Sequence, residues 1–131
     1  MVIPMYRILI VEDNDTRQDF FRDTLAGYSL VFTTTSVEAI ELLKQKSFDL
    51  IFLDMDLDDG LGRGLDVART LKGTPNSHSD VIVHSMNISA AAEVKKILPW
   101  SQLLTIAELR RMVAKFGHEG FIERILDQFE R

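Results

Sequence analysis

The chain has 131 residues, of which 46% are hydrophobic and 27% charged, with a net charge of −5 and no cysteine. This length and composition are typical of one folded domain, and the absence of cysteine excludes disulfide and thiolate chemistry. The negative charge argues against a nucleic-acid partner, and the absence of both a long apolar stretch and a signal-peptide pattern predicts a cytoplasmic protein without a membrane partner.

Short apolar runs alternate with helical apolar stripes from one end of the chain to the other. In chain order the predicted strands and helices are Tyr6–Val11, Asp15–Leu25, Leu30–Thr33, Val37–Gln45, Leu50–Asp54, Leu65–Lys72, Val81–His84, Ser89–Ile97, Trp100–Leu103, Ile106–Phe116 and Phe121–Phe129. Strands that alternate with helices are joined by right-handed crossovers and form a parallel sheet with helices on both faces. We therefore predict a single α/β domain over residues 1–131 with a doubly wound, five-stranded parallel sheet.

Two segments outside the strands bear on function. The loop at residues 55–64 contains three glycines and is expected to be mobile. At the other end of the chain, residues 117–120 are expected to break the helix, so that residues 117–131 add a further C-terminal helix with an apolar stripe. This stripe either packs back on its own domain or serves as an interface for homodimerisation or for docking a partner, and the sequence leaves these readings open.

Acidic residues follow two of the predicted strands. Glu12 and Asp13 follow the first strand, and Asp54 closes the third, with Asp56 just beyond it. In an open parallel sheet, ligands bind outside the carboxyl ends of the strands, so these carboxylates are expected to meet at one edge. Their mutual repulsion would be relieved by a hard cation such as Mg²⁺, which prefers oxygen ligands.

The same residues carry a resemblance to a known family. The segments ILIVEDN at residues 8–14, IFLDMDLDDG at 51–60 and VIVHS at 81–85 resemble, in order and spacing, the receiver domain of two-component signalling. The resemblance covers residues 6–116 and implies the flavodoxin-like receiver fold. It also implies that the chain accepts a phosphoryl group from a histidine kinase or phosphotransfer protein and signals by docking onto a downstream protein.

The resemblance implies a role for each matching residue. Asp54 would accept the phosphoryl group, and Mg²⁺ or Mn²⁺ would be held by Glu12, Asp13, Asp54 and the backbone carbonyl of Asp56. Ser85 would bind a phosphoryl oxygen. These roles suit phosphoryl transfer, which depends on positioning and on neutralising the charge of the oxygens.

The chain departs from the receiver pattern near its predicted fifth strand. Aligning QLLTIAEL at residues 102–109 with the family's K-P-F-x-x-x-E-L pattern puts Gln102 in place of the usual lysine. Glutamine donates a hydrogen bond but brings no positive charge, and Lys95 or Lys96 is the alternative source of a cation. Trp100 lies near the position of the family's switching aromatic residue, or else fills the edge of a shortened segment.

A second reading starts from the residues around the fourth strand. The segments LDMDLDDG at residues 53–60, GLDVA at 64–68 and VIVHSMN at 81–87 also resemble a divergent receiver branch proposed to process cyclic phosphates. That reading implies that Ser85 and Asn87 bind phosphate oxygens and that His84 acts in general acid–base chemistry. Otherwise His84 is a histidine satisfied within the sheet. The remaining alternative is a pseudo-receiver, a fold that only docks other proteins.

Overall fold

The computed structural model describes residues 6–60 and 62–129, and it contains one parallel sheet of five strands. The strands are β1 (Arg7–Val11), β2 (Ser29–Thr33), β3 (Leu50–Leu53), β4 (Asp80–Val83) and β5 (Gln102–Leu103). They lie in the order β2-β1-β3-β4-β5, and every pairing is parallel. The predicted doubly wound α/β fold is confirmed.

Helices cover both faces of this sheet. They are α1 (Asp15–Thr24), α2 (Ser36–Gln45), α3 (Gly64–Thr70), α4 (Ile88–Ile97) and α5 (Ile106–Leu126), with a short 3-10 turn (Leu71–Gly73) after α3. Apolar residues of α2, α3 and α4 share one core cluster on one face of the sheet, and those of α1 and α5 share another. Among the described residues, no helix is long and apolar enough to cross a membrane.

The apolar content of β1 and β3 explains why they are central. All four residues of β3 and four of the five in β1 are buried, which is typical of parallel strands covered on both faces. In contrast, β5 has only two residues, neither of which is fully buried. The acidic residues therefore follow β1 and β3, two strands that are each hydrogen-bonded to a neighbouring strand on both sides.

The C-terminal part of the chain folds back on the domain. Helix α5 is kinked at Gly117, which has a φ of 75° and ψ of 170°. The predicted break is confirmed at this residue, but the helix resumes directly afterwards instead of at Phe121. The apolar residues beyond the kink are buried in the same cluster as the α1 side chains: Phe121, Ile122, Ile125 and Phe129. Dimerisation through this stripe is therefore the wrong reading, because the stripe is covered by its own chain.

Candidate metal and phosphoryl site

The carboxyl edge of the sheet brings together the ends of β1, β3 and β4. The Asp54 N–H donates to the Val11 carbonyl at 3.0 Å, and the His84 N–H donates to the Leu53 carbonyl at 3.1 Å. Both bonds extend the parallel ladder one residue beyond the strands. The backbone of Asp54 is therefore fixed between β1 and β4, and its side chain lies beside those of Glu12 and His84.

Glu12 is buried and surrounded by donors. Its Oε1 accepts hydrogen bonds from Arg17 Nε at 2.9 Å and His84 Nε2 at 2.8 Å, and its Oε2 accepts from the Asn14 N–H at 3.0 Å. Burial acts to raise the pKa of Glu12, but the hydrogen bonds from His84 and Arg17 outweigh it and lower the pKa to about 2. Glu12 is therefore an anion whose oxygens are already engaged by protein groups.

Asp13 is in the opposite electrostatic situation. Burial raises its pKa to about 6, and the negative charges of Glu12, Asp58 and Asp54 act in the same direction. Such a carboxyl carries charge at neutral pH only against the repulsion of its neighbours. A cation placed beside Asp13 and Asp54 would relieve this repulsion.

Asp54 lies at the floor of the site with little exposure. Its Oδ1 accepts the Met55 N–H at 2.8 Å, and its Oδ2 lies 3.6 Å from Arg17 Nη2. Burial raises the pKa of Asp54, and the Glu12 charge adds to this, whereas His84, Arg17 and a hydrogen bond from Ser85 act against it. One carboxylate oxygen is thus anchored to the backbone, and the other faces the Arg17 guanidinium.

Two acidic side chains of the loop after β3 bond to groups elsewhere in the chain. The Asp56 Oδ1 accepts hydrogen bonds from the Gly62 N–H at 2.8 Å and from Asn87 Nδ2 at 3.0 Å. The Asp59 carboxylate accepts from both the N–H and the hydroxyl of Ser36 at the start of α2. These bonds lower the pKa of Asp59 despite the opposing effect of burial. The loop is therefore tied to α2 and to the segment before α4.

The polar residues after β4 link the loop to the strand end. Ser85 is buried, and its Oγ accepts the Asn87 N–H at 3.0 Å. The Asn87 Oδ1 accepts the Ala90 N–H at 3.2 Å and so caps α4, while its Nδ2 donates to Asp56. Asn87 therefore positions Asp56 in this state of the protein, and its amide is committed to that contact.

His84 lies in the core rather than at the surface of the site. Its side chain is fully buried, with its ring centroid 5.2 Å from that of Phe21 and 6.4 Å from that of Phe52. Nε2 donates to Glu12, and Nδ1 has no hydrogen-bond partner among the described residues. One ring nitrogen of His84 is therefore satisfied by the Glu12 carboxylate at the end of β1, and the other has no partner among the described residues.

Gln102, aligned with the usual lysine position, does not line the cavity beside Asp54. It pairs with Ile82 in the β4–β5 register, three residues before Ser85, and it lines other cavities. At the carboxyl end of β5 the chain continues directly into the capping box of α5, formed by Thr105 and Glu108.

Three other residues near β5 point away from the site. The Trp100 indole N–H donates to the Ser79 carbonyl at 3.0 Å, at the amino end of β4 and so away from Asp54. The Lys95 ammonium donates to the Ser101 carbonyl, and that of Lys96 pairs with Glu93 at 3.1 Å. Neither lysine takes the place of the missing cation.

The positive side chains in the described lining of this site are arginines of helices α1 and α5. A cavity of about 580 Å³ lies over Asp54, and its lining includes Asp13, Asp56, Ser85 and two arginines, Arg17 and Arg110. Sequence reasoning missed both arginines because it searched the strand ends. A signal was available for Arg17, since a cation in the first turn of a helix opposes the helix dipole and needs a nearby anion.

The residues present fit a divalent cation. Asp13, Asp54 and Asp56 offer oxygen atoms along one wall of the cavity, which is the donor set that Mg²⁺ and Mn²⁺ take. Deeper in the site, Glu12, Asp54 and His84 each offer one ligand atom, and these atoms lie within 4.8 Å of one another. Of these two sets, the one that contains Asp13 is the better place for the ion. The raised pKa of Asp13 shows that the negative charge around it is not balanced by protein groups.

A comparison with protein families decides the assignment. Residues 7–99 match the family described as the cyclic-phosphate processing receiver domain, which is well over half of the chain. The chain belongs to this family. It is a receiver domain of the response-regulator type, as the motifs of β1, β3 and β4 predicted.

Curated relatives and solved structures agree with a receiver domain. The polar-differentiation response regulators DivK of Brucella ovis and Brucella suis are 36% identical over 67 residues, and the match spans about half of this chain (50%) and about half of their length (53%). The phosphorylated cyanobacterial phytochrome response regulator RcpA has a TM-score of 0.71 at 22% identity, over 88% of this chain and 91% of its own. The manganese-bound response regulator Rcp1 has a TM-score of 0.70 at 21% identity, over 89% and 94%.

A third similar structure is a receiver domain of a sensor histidine kinase from Pseudomonas aeruginosa PAO1, with a magnesium ion in its active-site cleft. It has a TM-score of 0.62 at 22% identity and covers 84% of this chain and 95% of its own. At these identities the solved structures establish the receiver fold of the chain.

Proposed function

We propose that this receiver domain accepts a phosphoryl group on Asp54 from a phosphohistidine of a histidine kinase or phosphotransfer protein. The observation that carries the proposal is the position of the Asp54 carboxylate. Its Oδ1 is anchored by the Met55 N–H, and its side chain lies at the floor of a cavity lined by Asp13, Asp56 and Ser85. The downstream signal then passes by docking onto another protein, in the cytoplasm as the sequence suggests.

The reaction is an exchange of bonds at phosphorus. A carboxylate oxygen of Asp54 forms a P–O bond while the P–N bond of the phosphohistidine breaks, and the donor imidazole takes up a proton. The Ser85 hydroxyl is close enough to bond to Asp54, so it can move to an oxygen of the incoming phosphoryl group. A Mg²⁺ or Mn²⁺ ion, when bound, neutralises the developing charge on the phosphoryl oxygens.

Asp13, Asp54 and the backbone carbonyl of Asp56 are the proposed direct ligands of that ion. Asn87 and Gly62 hold the Asp56 side chain and so orient its backbone. Glu12, with donors on both of its oxygens, contributes charge to the site rather than a free ligand atom. The manganese-bound Rcp1 and the magnesium-bound kinase receiver support an ion at this end of the fold.

Intact-mass measurement tests the phosphoacceptor. Incubation with acetyl phosphate and Mg²⁺ is expected to add one phosphoryl group to the parent protein, and EDTA is expected to prevent it. The Asp54→Asn variant, which keeps the shape of the side chain, is expected to remain unmodified. A parent protein with no adduct, or an Asp54→Asn variant that is still modified, contradicts the proposal.

A second candidate function is the hydrolysis of a cyclic phosphate. The description of the matched family favours it, as does the buried contact between His84 Nε2 and Glu12 beside Asp54. Phosphorus NMR of a cyclic nucleotide monophosphate mixed with the protein separates the two functions. Repeated turnover would identify an enzyme, whereas an unchanged spectrum together with a stoichiometric adduct on Asp54 supports the phosphoacceptor.

A further inference from the structure

The described lining of the cavity over Asp54 contains two positive side chains, Arg17 and Arg110, and no lysine. A phosphoryl group brings added negative charge to a cavity that already contains Asp13, Asp54 and Asp56. A divalent ion offsets part of this charge, and a second cation is needed on the opposite side. Gln102, Lys95 and Lys96 are all placed elsewhere, so that cation must come from one of the arginines.

Arg17 is the arginine that reaches the reacting group. Its Nε and Nη2 donate to the two oxygens of Glu12 at 2.9 and 3.2 Å, and the same Nη2 lies 3.6 Å from Asp54 Oδ2. In contrast, the guanidinium carbon of Arg110 lies 5.7 Å from the centre of the Phe20 ring, and Arg110 is exposed on α5. Glu12 therefore binds one edge of the Arg17 guanidinium and directs the group toward Asp54.

The donors of Arg17 exceed what Glu12 can accept. A guanidinium has five N–H groups in a rigid plane, and two of its nitrogens are used on Glu12. The side chain remains one-third exposed and lines the cavity, so the remaining donors are not sealed in the core. Planar donors of this kind suit the oxygens of a phosphoryl group. A glutamine at the same place could donate a hydrogen bond to these oxygens but would bring no positive charge.

The position of Arg17 in its helix argues against a purely local role. It lies in the first turn of α1, where the helix dipole favours anions, and its own N–H is taken by the Asn14 cap. A positive side chain there is stabilised by the surrounding carboxylates, first by its hydrogen bonds to Glu12 and then by the charges of Glu12, Asp54 and Asp13.

Resting on the phosphoacceptor function, we propose that Arg17 is the phosphate-binding cation of this site and replaces the lysine of other receivers. The Glu12 carboxylate orients the guanidinium, and Arg17 binds the phosphoryl oxygens opposite the metal ion. The basic group thus comes from α1 rather than from the end of β5. Loss of Arg17 is expected to weaken phosphate binding while leaving the metal ligands in place.

The binding of inorganic phosphate in the presence of Mg²⁺ tests this assignment, followed through NMR shifts of the Ser85 and Asn87 amides. Arg17→Gln is expected to weaken phosphate binding by about 10- to 100-fold, the loss of one charge-assisted interaction, and Arg17→Lys to restore part of it. Arg22→Gln is the matched control, because Arg22 lies on the same helix and pairs with exposed Asp19. It is expected to bind phosphate as the parent does.

Mg²⁺ affinity separates this role from a structural one, and it is expected to stay equal or increase in Arg17→Gln. If that variant fails to fold, the Glu12→Gln/Arg17→Gln double variant, which removes both members of the ion pair, takes its place and is compared with Glu12→Gln. The assignment is overturned if a variant without Arg17 binds phosphate within twofold of the parent affinity. It is also overturned if the parent does not bind phosphate. If acetyl phosphate does not modify Asp54 but phosphate binding still depends on Arg17, only the phosphoacceptor function is rejected.

Discussion

The Asp13 carboxyl lies among the charges of Glu12, Asp54 and Asp58, and it therefore contributes to the pH dependence of the stability of the metal-free protein. Its pKa rises from 3.8 to about 6 on folding. The folded state therefore binds the proton more tightly than the unfolded state does. Between about pH 4 and pH 6, the contribution of Asp13 to stability falls as the pH rises, because the folded chain must lose a proton that it prefers to keep.

Replacing Asp13 by asparagine removes this penalty. In EDTA at pH 7, Asp13→Asn is expected to be more stable than the parent by on the order of 1 kcal/mol, a value reduced for solvent screening at a partly exposed group. Urea unfolding at pH 4 and pH 7 measures the difference, which should disappear at the lower pH. Saturating Mg²⁺ should stabilise the parent more than the variant. Equal stability of the two proteins at pH 7 would contradict the charge cluster described here.

Elements fix the site through close approach as well as through hydrogen bonds. Gly64 begins α3, and a Cβ at this position would lie 2.7 Å from Met55 Cα and closer still to the Asp54 carbonyl oxygen. Its N–H donates to the Met55 carbonyl at 2.9 Å. The start of α3 is therefore pressed against the backbone of the phosphoacceptor strand.

Gly64→Ala is expected to displace this contact. The overpacking should cost roughly 1–3 kcal/mol of unfolding free energy and slow the modification of Asp54, because the alanine pushes on its backbone. Gly73→Ala is the control, since nothing lies within 4 Å of a Cβ built there. Urea unfolding and the acetyl phosphate reaction measure both effects. A Gly64→Ala variant that behaves like Gly73→Ala would show that the contact does not constrain the site.

At the level of elements, the sequence predicted what depends on local pattern. The buried runs that form β1, β3 and β4 were found to within a residue or two, because continuous apolar runs have few other readings. The fifth strand, predicted as Trp100–Leu103, is shorter in the structure, Gln102–Leu103, because so short a run carries little pattern.

At the level of the whole molecule, long-range contacts decided what the sequence left open. The apolar stripe near Phe121 has the same pattern whether it packs internally or between chains, and only its burial against α1 and the sheet distinguishes them. Arg17 was missed because its role depends on Glu12 and Asp54, which come from two different strands. The acids of the site could be read from strand ends, whereas its cation required the packing of α1.

The whole molecule thus presents one edge at which β1, β3, β4 and α1 converge on Asp54. The central claim is that this edge binds a divalent cation and a phosphoryl group together. A crystal structure of the protein with Mg²⁺ and beryllofluoride, a phosphoryl mimic, tests it most directly. We predict beryllium bonded to an Asp54 oxygen, Mg²⁺ on Asp13 and the Asp56 carbonyl, and Arg17 on a fluoride. Density for neither group at Asp54, under conditions that saturate other receivers, would contradict the account.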